Sequence, residues 1–235
     1  MPYQHGIKHE EKPSLKFSPL LTAGGLGLAG MAGFINAASL SFFHIPISHM
    51  SGAVTHLGLD SAIFDLTAII FSLLLIGSFV SGAVLSGAII GAAKFIPGRR
   101  YGIAMMFEGI LLSFVPFFIQ SGRSFGLLIA AFTCGLQNGM ASSYYGLIIR
   151  TTHMTGILTD IGVLIGHLIR HRRIELWKLT ILTAICMGFF LGSVAGAIMV
   201  EKNGAFAFYI PAFLIFTTGL IYFGIIFYAK KNLQK

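Results

Sequence analysis

Glu108, in the run "MMFEGILL", is a carboxyl group in an apolar stretch with no basic residue within seven positions. A charge at the centre of a membrane helix costs about 2.5 to 3.5 kcal/mol on insertion scales, so this group is either protonated or paired. Either state suits a proton carrier; a neutral acid bonded to a neighbouring helix is the structural alternative. A second set of polar groups fills "RTTHMTGILTDIG", residues 150–162, where Arg150, His153, Asp160 and four threonines interrupt apolar surroundings. Asp160 follows Gly156 by one helical turn and has Arg150 or His153 as prospective partners. His49 and His153 are of the type that exchanges protons near neutral pH, or that serves as a structural donor. A metal enzyme assembled from His49, His153, Asp160 and Glu108 is conceivable, but their spacing does not favour one. The chain lacks G-x-S-x-G, H-E-x-x-H, Walker and dinucleotide motifs. No enzyme activity, cofactor or metal is therefore expected.

These groups must be positioned by apolar elements. Of 235 residues, 55% are hydrophobic and only 10% charged, and the mean hydropathy is +0.84, which marks an integral membrane protein rather than a soluble domain. Six apolar stretches, 18–43, 62–93, 101–120, 124–148, 176–200 and 205–229, are long enough to cross a hydrocarbon core that takes about 20 helical residues. The polar start and the absence of an A-x-A-like cleavage site make the first stretch a retained span. The net charge of +8 sits at span ends instead of forming a basic face, which argues against nucleic acid. Cys134 and Cys186 fall inside spans without zinc-like spacing and read as packing residues.

Charge also orients the chain. With six spans and a cytoplasmic N-terminus, 14 of the 16 basic residues lie inside, including Arg150, Arg170, Arg172 and Arg173 as orientation anchors with possible acidic-lipid contact. Making full spans of 47–60 and 151–170 leaves 11 inside and 5 outside, so these segments are expected to enter the membrane without crossing it.

The chain is expected to be two copies of one unit. "GFINAASL…SHMSGAVTHLG" matches "GLQNGMAS…THMTGILTDIG", pairing Asn36 with Asn138, His49 with His153, Ser51 with Thr155, Gly52 with Gly156 and His56 with Asp160. "GSFVSGAVLSGA" resembles "GFFLGSVAGA", and Pro116 and Pro211 are taken as a recurring mid-span proline. Because each unit holds three spans, the second enters from the opposite side, which gives inverted repeats meeting near the midplane. The expected fold is all-α: a polytopic membrane protein of six transmembrane helices in two inverted three-helix repeats, each with a short re-entrant or broken helix. A tail (1–17) precedes repeat 1 (18–120) and repeat 2 (121–235) within a single membrane domain.

In each motif a hydroxyl, Ser48 or Ser51 and Thr152 or Thr155, is placed to cap a helix start, and Gly52 and Gly156 permit close approach. Helix starts of this kind attract anions or polar groups; shaping the fold is the alternative role. Asn36, Gln137 and Asn138 lie within spans and should face protein or a cavity, where such amides commonly bridge helices. Gly188, Gly192 and Gly196 have the spacing of close helix packing.

Over nearly its whole length the chain resembles the YoaK-type family of small bacterial membrane proteins, carried most specifically by "RTTHMTGILTDIG". The first motif departs from that family, which usually has aspartate in place of Asn36 and Thr-Gly-Asn in place of Ser51, Gly52 and Ala53. The resemblance implies a bacterial inner membrane and no established substrate.

The residues together point to a transporter or channel for a small polar or anionic solute. Asn36, His49, Ser51, Gly52, Gln137, Asn138, His153, Thr155 and Gly156 would line its pathway, with Glu108 or Asp160 for proton coupling. Membrane lipids and a second copy of the chain are the expected partners. A non-transporting scaffold is the alternative. Cysteine labelling in intact cells should place residues near Gly204 outside and residues near Arg172 inside; the opposite pattern would invert both motifs.

Overall fold

The computed structural model describes residues 18–91, 98–140, 143–144, 147–148, 150–171 and 174–233. The N-terminal tail, Arg172 and Arg173 lie outside the described residues. The elements are α1 (Ser18–Phe43), α2 (Met50–Ala62), α3 (Leu66–Ile90), α4 (Arg99–Gln120), α5 (Phe125–Gly139), α6 (Met154–Ile169), α7 (Leu176–Asn203) and α8 (Tyr209–Leu233). A 3-10 turn (Gly204–Phe208) joins the last two, and two-residue strands pair Ser143 with Ile148 and Tyr144 with Leu147.

Four helical stretches are long and apolar enough to cross a membrane: Leu21–Phe43, Leu66–Ile90, Arg99–Gln120 and Leu176–Ala229. The fourth, of 54 residues, would run about 80 Å as one helix against a core of about 30 Å. The 3-10 turn and Gly204, at φ 56°, divide it into α7 and α8. The helix expected over 124–148 is shorter than its apolar run: α5 ends at Gly139. Pro211 also departs from expectation. It sits in the first turn of α8, where a missing N–H costs no helical bond, whereas Pro116 lies inside α4.

α3 turns mostly small or polar residues inward and large apolar ones outward: Ser72, Leu75, Gly82 and Ser86 are buried at steps of three, seven and four, while Leu66, Ile70, Leu73, Leu74, Val80 and Val84 face out. That reversal of the soluble pattern suits lipid, where burying apolar side chains gains little and close backbone contact holds helices together. α1 packs on α7, α3 on α5 and α4 on α8, with α2 against α3 and α6 against α7.

The two halves repeat these contacts. A Cβ on Gly33 of α1 would overlap the Phe189 carbonyl of α7, and one on Gly135 of α5 would overlap the Phe79 carbonyl of α3. Gly82 of α3 meets the Phe132 carbonyl, as Gly192 of α7 meets that of Gly30. The contacts climb together along both pairs, so α1 and α7 run parallel, as do α3 and α5. In contrast, Gly102 meets the Gly219 carbonyl and Gly109 that of Ala212, so α4 and α8 run antiparallel.

Gly192→Ala should therefore lower thermal stability by about 1–3 kcal/mol through overpacking. Gly77→Ala, with open space around its Cβ, should leave it unchanged or raise it by up to about 1 kcal/mol. Equal melting shifts for the two purified variants would contradict the close packing.

Candidate functional site

Each motif helix begins after a loop tied to the preceding span. The Asn36 side chain is buried on α1, and its Oδ1 accepts from the backbone N–H and the hydroxyl of Ser48, at 3.3 and 2.8 Å. In the second half the Asn138 Nδ2 donates to the Thr152 hydroxyl and, at 3.1 Å, to the Cys134 carbonyl. The residue before each motif histidine is thus held by the matching asparagine. One asparagine is used as an acceptor and the other as a donor, which leaves the Asn138 Oδ1 buried and unpartnered.

This arrangement corrects the expected capping. His49 and His153 occupy the N-cap positions of α2 and α6, and neither makes a side-chain cap. The Ser48 and Thr152 hydroxyls are committed to Asn36 and Asn138 instead. Ser51 and Thr155 lie in the first turns with exposed side chains, past the position from which a side chain caps. The glycines differ too: a Cβ on Gly156 would strike the His153 ring, whereas Gly52 has open space. His49 makes an edge contact with Phe189 of α7 at 6.2 Å between centroids. Phe189 also packs at the edge of the buried cluster formed by Ala29, Ile157, Ile181, Leu182 and Ile185.

Glu108 has 0% exposure at the middle of α4, and neither carboxylate oxygen has a hydrogen-bond partner. Cys134 is likewise buried, on α5, which packs against α4. Gln137 donates to the Leu28 carbonyl at 2.9 Å, bridging α5 to α1, while its Oε1 stays buried and unpartnered. The unused groups on α4 and α5 are therefore mainly acceptors: the Glu108 carboxyl and the Gln137 and Asn138 carbonyl oxygens.

Asp160 is exposed on α6 and forms no ion pair with Arg150 or His153 among the described residues. His153 precedes the helix and Asp160 lies two turns into it, which separates the two groups. Arg150 and Arg170 are exposed, as orientation anchors require. Among the described residues, no three His, Cys, Asp or Glu side chains group as metal ligands. Sequence reasoning did not single out Asp60, which accepts from Ser72 at 3.4 Å beside a cavity between α2 and α3. Its signal was available: it is one of only two acidic residues between Lys16 and Lys94.

Fold and site together define an all-helical protein of long apolar helices with buried, partly unpartnered polar groups, compatible with a membrane protein. The chain belongs to the DUF1275 family, described as proteins of unknown function, whose model matches residues 24–221. No curated protein and no solved structure matches it.

The asparagine brackets are testable by double-mutant cycles in detergent-solubilised protein. Asn36→Ala combined with Ser48→Ala should show a coupling of about 0.5–1.5 kcal/mol. Purely additive melting shifts would mean that the bond contributes nothing to holding the loop.

Proposed function

We propose that the chain is a small transporter or channel of YoaK type in a bacterial inner membrane, passing a small polar or anionic solute with proton coupling. Its two halves are inverted three-span units, with both termini cytoplasmic and α2 and α6 re-entrant. The helix senses support this reading. Six alternating spans make α1 parallel to α7, α3 parallel to α5 and α4 antiparallel to α8, whereas eight alternating spans would make α4 and α8 parallel.

The observation that carries the functional reading is Glu108: a fully buried carboxyl with two unpartnered oxygens halfway along an apolar helix. An ionisable group at that depth is costly and marks ion or proton pathways. Neutral, it stores a proton; ionised, it attracts a solute donor. The acceptors on Gln137 and Asn138 favour a solute that offers donors over a bare anion. The starts of α2 and α6 supply the complementary amide ends, with Ser51, Gly52, Thr155 and Gly156 beside them. Asp160, being exposed, suits proton entry better than the central relay.

A scaffold role is the second reading. It is favoured by Asn36 and Asn138 each being engaged in holding its own loop, and it implies a stable membrane partner or homo-oligomer.

In proteoliposomes under an imposed pH gradient, Glu108→Gln should reduce solute flux at least tenfold, and Thr155→Val should reduce it less. Undiminished flux through correctly folded variants would remove these residues from the mechanism. No flux across a broad solute screen, with one partner recovered repeatedly, would favour the scaffold.

A further inference from the structure

The two halves treat the crevice between the motif helix and the next span differently. In the first half, α2 and α3 border an open cleft of about 220 Å³, lined by Ala53, His56, Asp60, Phe71, Ser72 and Leu75 among others. The motif alignment carries Ala53 to Ile157, His56 to Asp160 and Asp60 to Leu164. The glycine contacts, which match Phe79 to Phe189 and Gly82 to Gly192, carry Phe71 to Ile181, Ser72 to Leu182 and Leu75 to Ile185. In the second half Ile157, Ile181, Leu182 and Ile185 form one buried apolar cluster, with Leu164 packed on it. The same crevice is filled in one copy and open, with polar groups, in the other.

The open copy has the chemistry of a cation site. Asp60 and Asp65 are the only charged side chains between Lys16 and Lys94, and among the described residues no lysine or arginine lines the cavity. The carboxylate of Asp65 is engaged in capping α3, accepting from the Ala68 N–H at 3.1 Å. Among the described residues the Asp60 carboxylate has only the long 3.4 Å bond from Ser72, so it retains acceptor capacity toward a charged donor. Ser72 is itself buried, and the Phe71 ring offers a face to a cation. Ala53 and Leu75 add apolar wall. The volume equals roughly seven waters, enough for an ammonium group on a short alkyl stem.

We propose that the α2–α3 crevice of the first half binds a protonated primary amine on an apolar stem, with Asp60 as counter-ion, Ser72 as a second acceptor and Phe71 against the stem. The amine is either a free alkylammonium or the headgroup of an aminophospholipid. The site stands apart from the transport reading: an amine that binds without being transported leaves it in place, and flux without amine binding removes this site alone.

The test uses the full chain in phosphatidylglycerol nanodiscs, titrated calorimetrically with hexylammonium, with hexanol as the uncharged control. In parallel, native mass spectrometry compares retention of phosphatidylethanolamine and phosphatidylglycerol. Saturable hexylammonium binding supports a free amine, and selective phosphatidylethanolamine retention supports the headgroup. In either case Asp60→Asn should weaken binding at least tenfold, and Ser72→Leu, which installs the second-half residue, should abolish it by filling the crevice. If Asp60→Asn does not yield folded protein, Ser72→Leu alone decides. Neither amine binding, hexanol binding equally well, or undiminished binding in either folded variant would overturn the proposal.

Discussion

Everything in this fold depends on backbones approaching one another where a side chain would not fit. In lipid, apolar side chains gain little by leaving their surroundings, so helices associate through close van der Waals contact at small residues. Gly33 and Gly192 join α1 to α7, and Gly82 and Gly135 join α3 to α5. Each pair takes one helix from each half. Residues 18–120 and 121–235 therefore pack by exchanging helices rather than as two units in series. Because α6 rests on α7 and α2 on α3, those same contacts also determine where the motif helices begin.

Within that frame the halves keep the same connections and change their chemistry. The asparagine that holds the motif loop accepts in the first half and donates in the second, so of the two amides only Asn138 keeps a buried, unpartnered oxygen. The crevice behind the motif helix is open beside Asp60 and closed by leucine and isoleucine in its counterpart. Glu108 belongs to neither motif. It lies on α4, which packs against α5 as well as α8, placing the carboxyl on the same helix pair as Cys134, Gln137 and Asn138.

Helices were easy to read where lipid dictates composition: α1 covers 18–43 as its apolar run does, and α7 begins at 176. The likeness of the two motifs was legible because glycine, asparagine and histidine are distinctive in an apolar background. Hydropathy overran α5, because an apolar run does not encode where a helix stops, and Gly139 ends it nine residues before the run does. The capping prediction failed for a related reason. A serine or threonine near a helix start has several possible acceptors, and Asn36 and Asn138, distant in sequence from the motifs, compete successfully for Ser48 and Thr152. Asp160 looked paired because Arg150 and His153 are near in sequence, but helical geometry separates them. The sites that most distinguish the halves, at Asp60 and Ser72, depend on which helix faces which, and that information appears only with the fold.

The proposed inversion of the halves rests on α4 and α8 running in opposite directions, a relation visible where Arg99, at the start of α4, lies 5.7 Å from the Phe227 ring near the end of α8. Spin labels at Arg100 and Tyr228, and separately at Arg100 and Tyr209, can measure it by pulsed electron resonance in nanodiscs. Antiparallel helices predict that the Arg100–Tyr209 distance exceeds the Arg100–Tyr228 distance by on the order of 20 Å, the intervening helix being about 28 Å long. A shorter Arg100–Tyr209 distance would mean that the two helices run the same way, and the halves would then not be inverted.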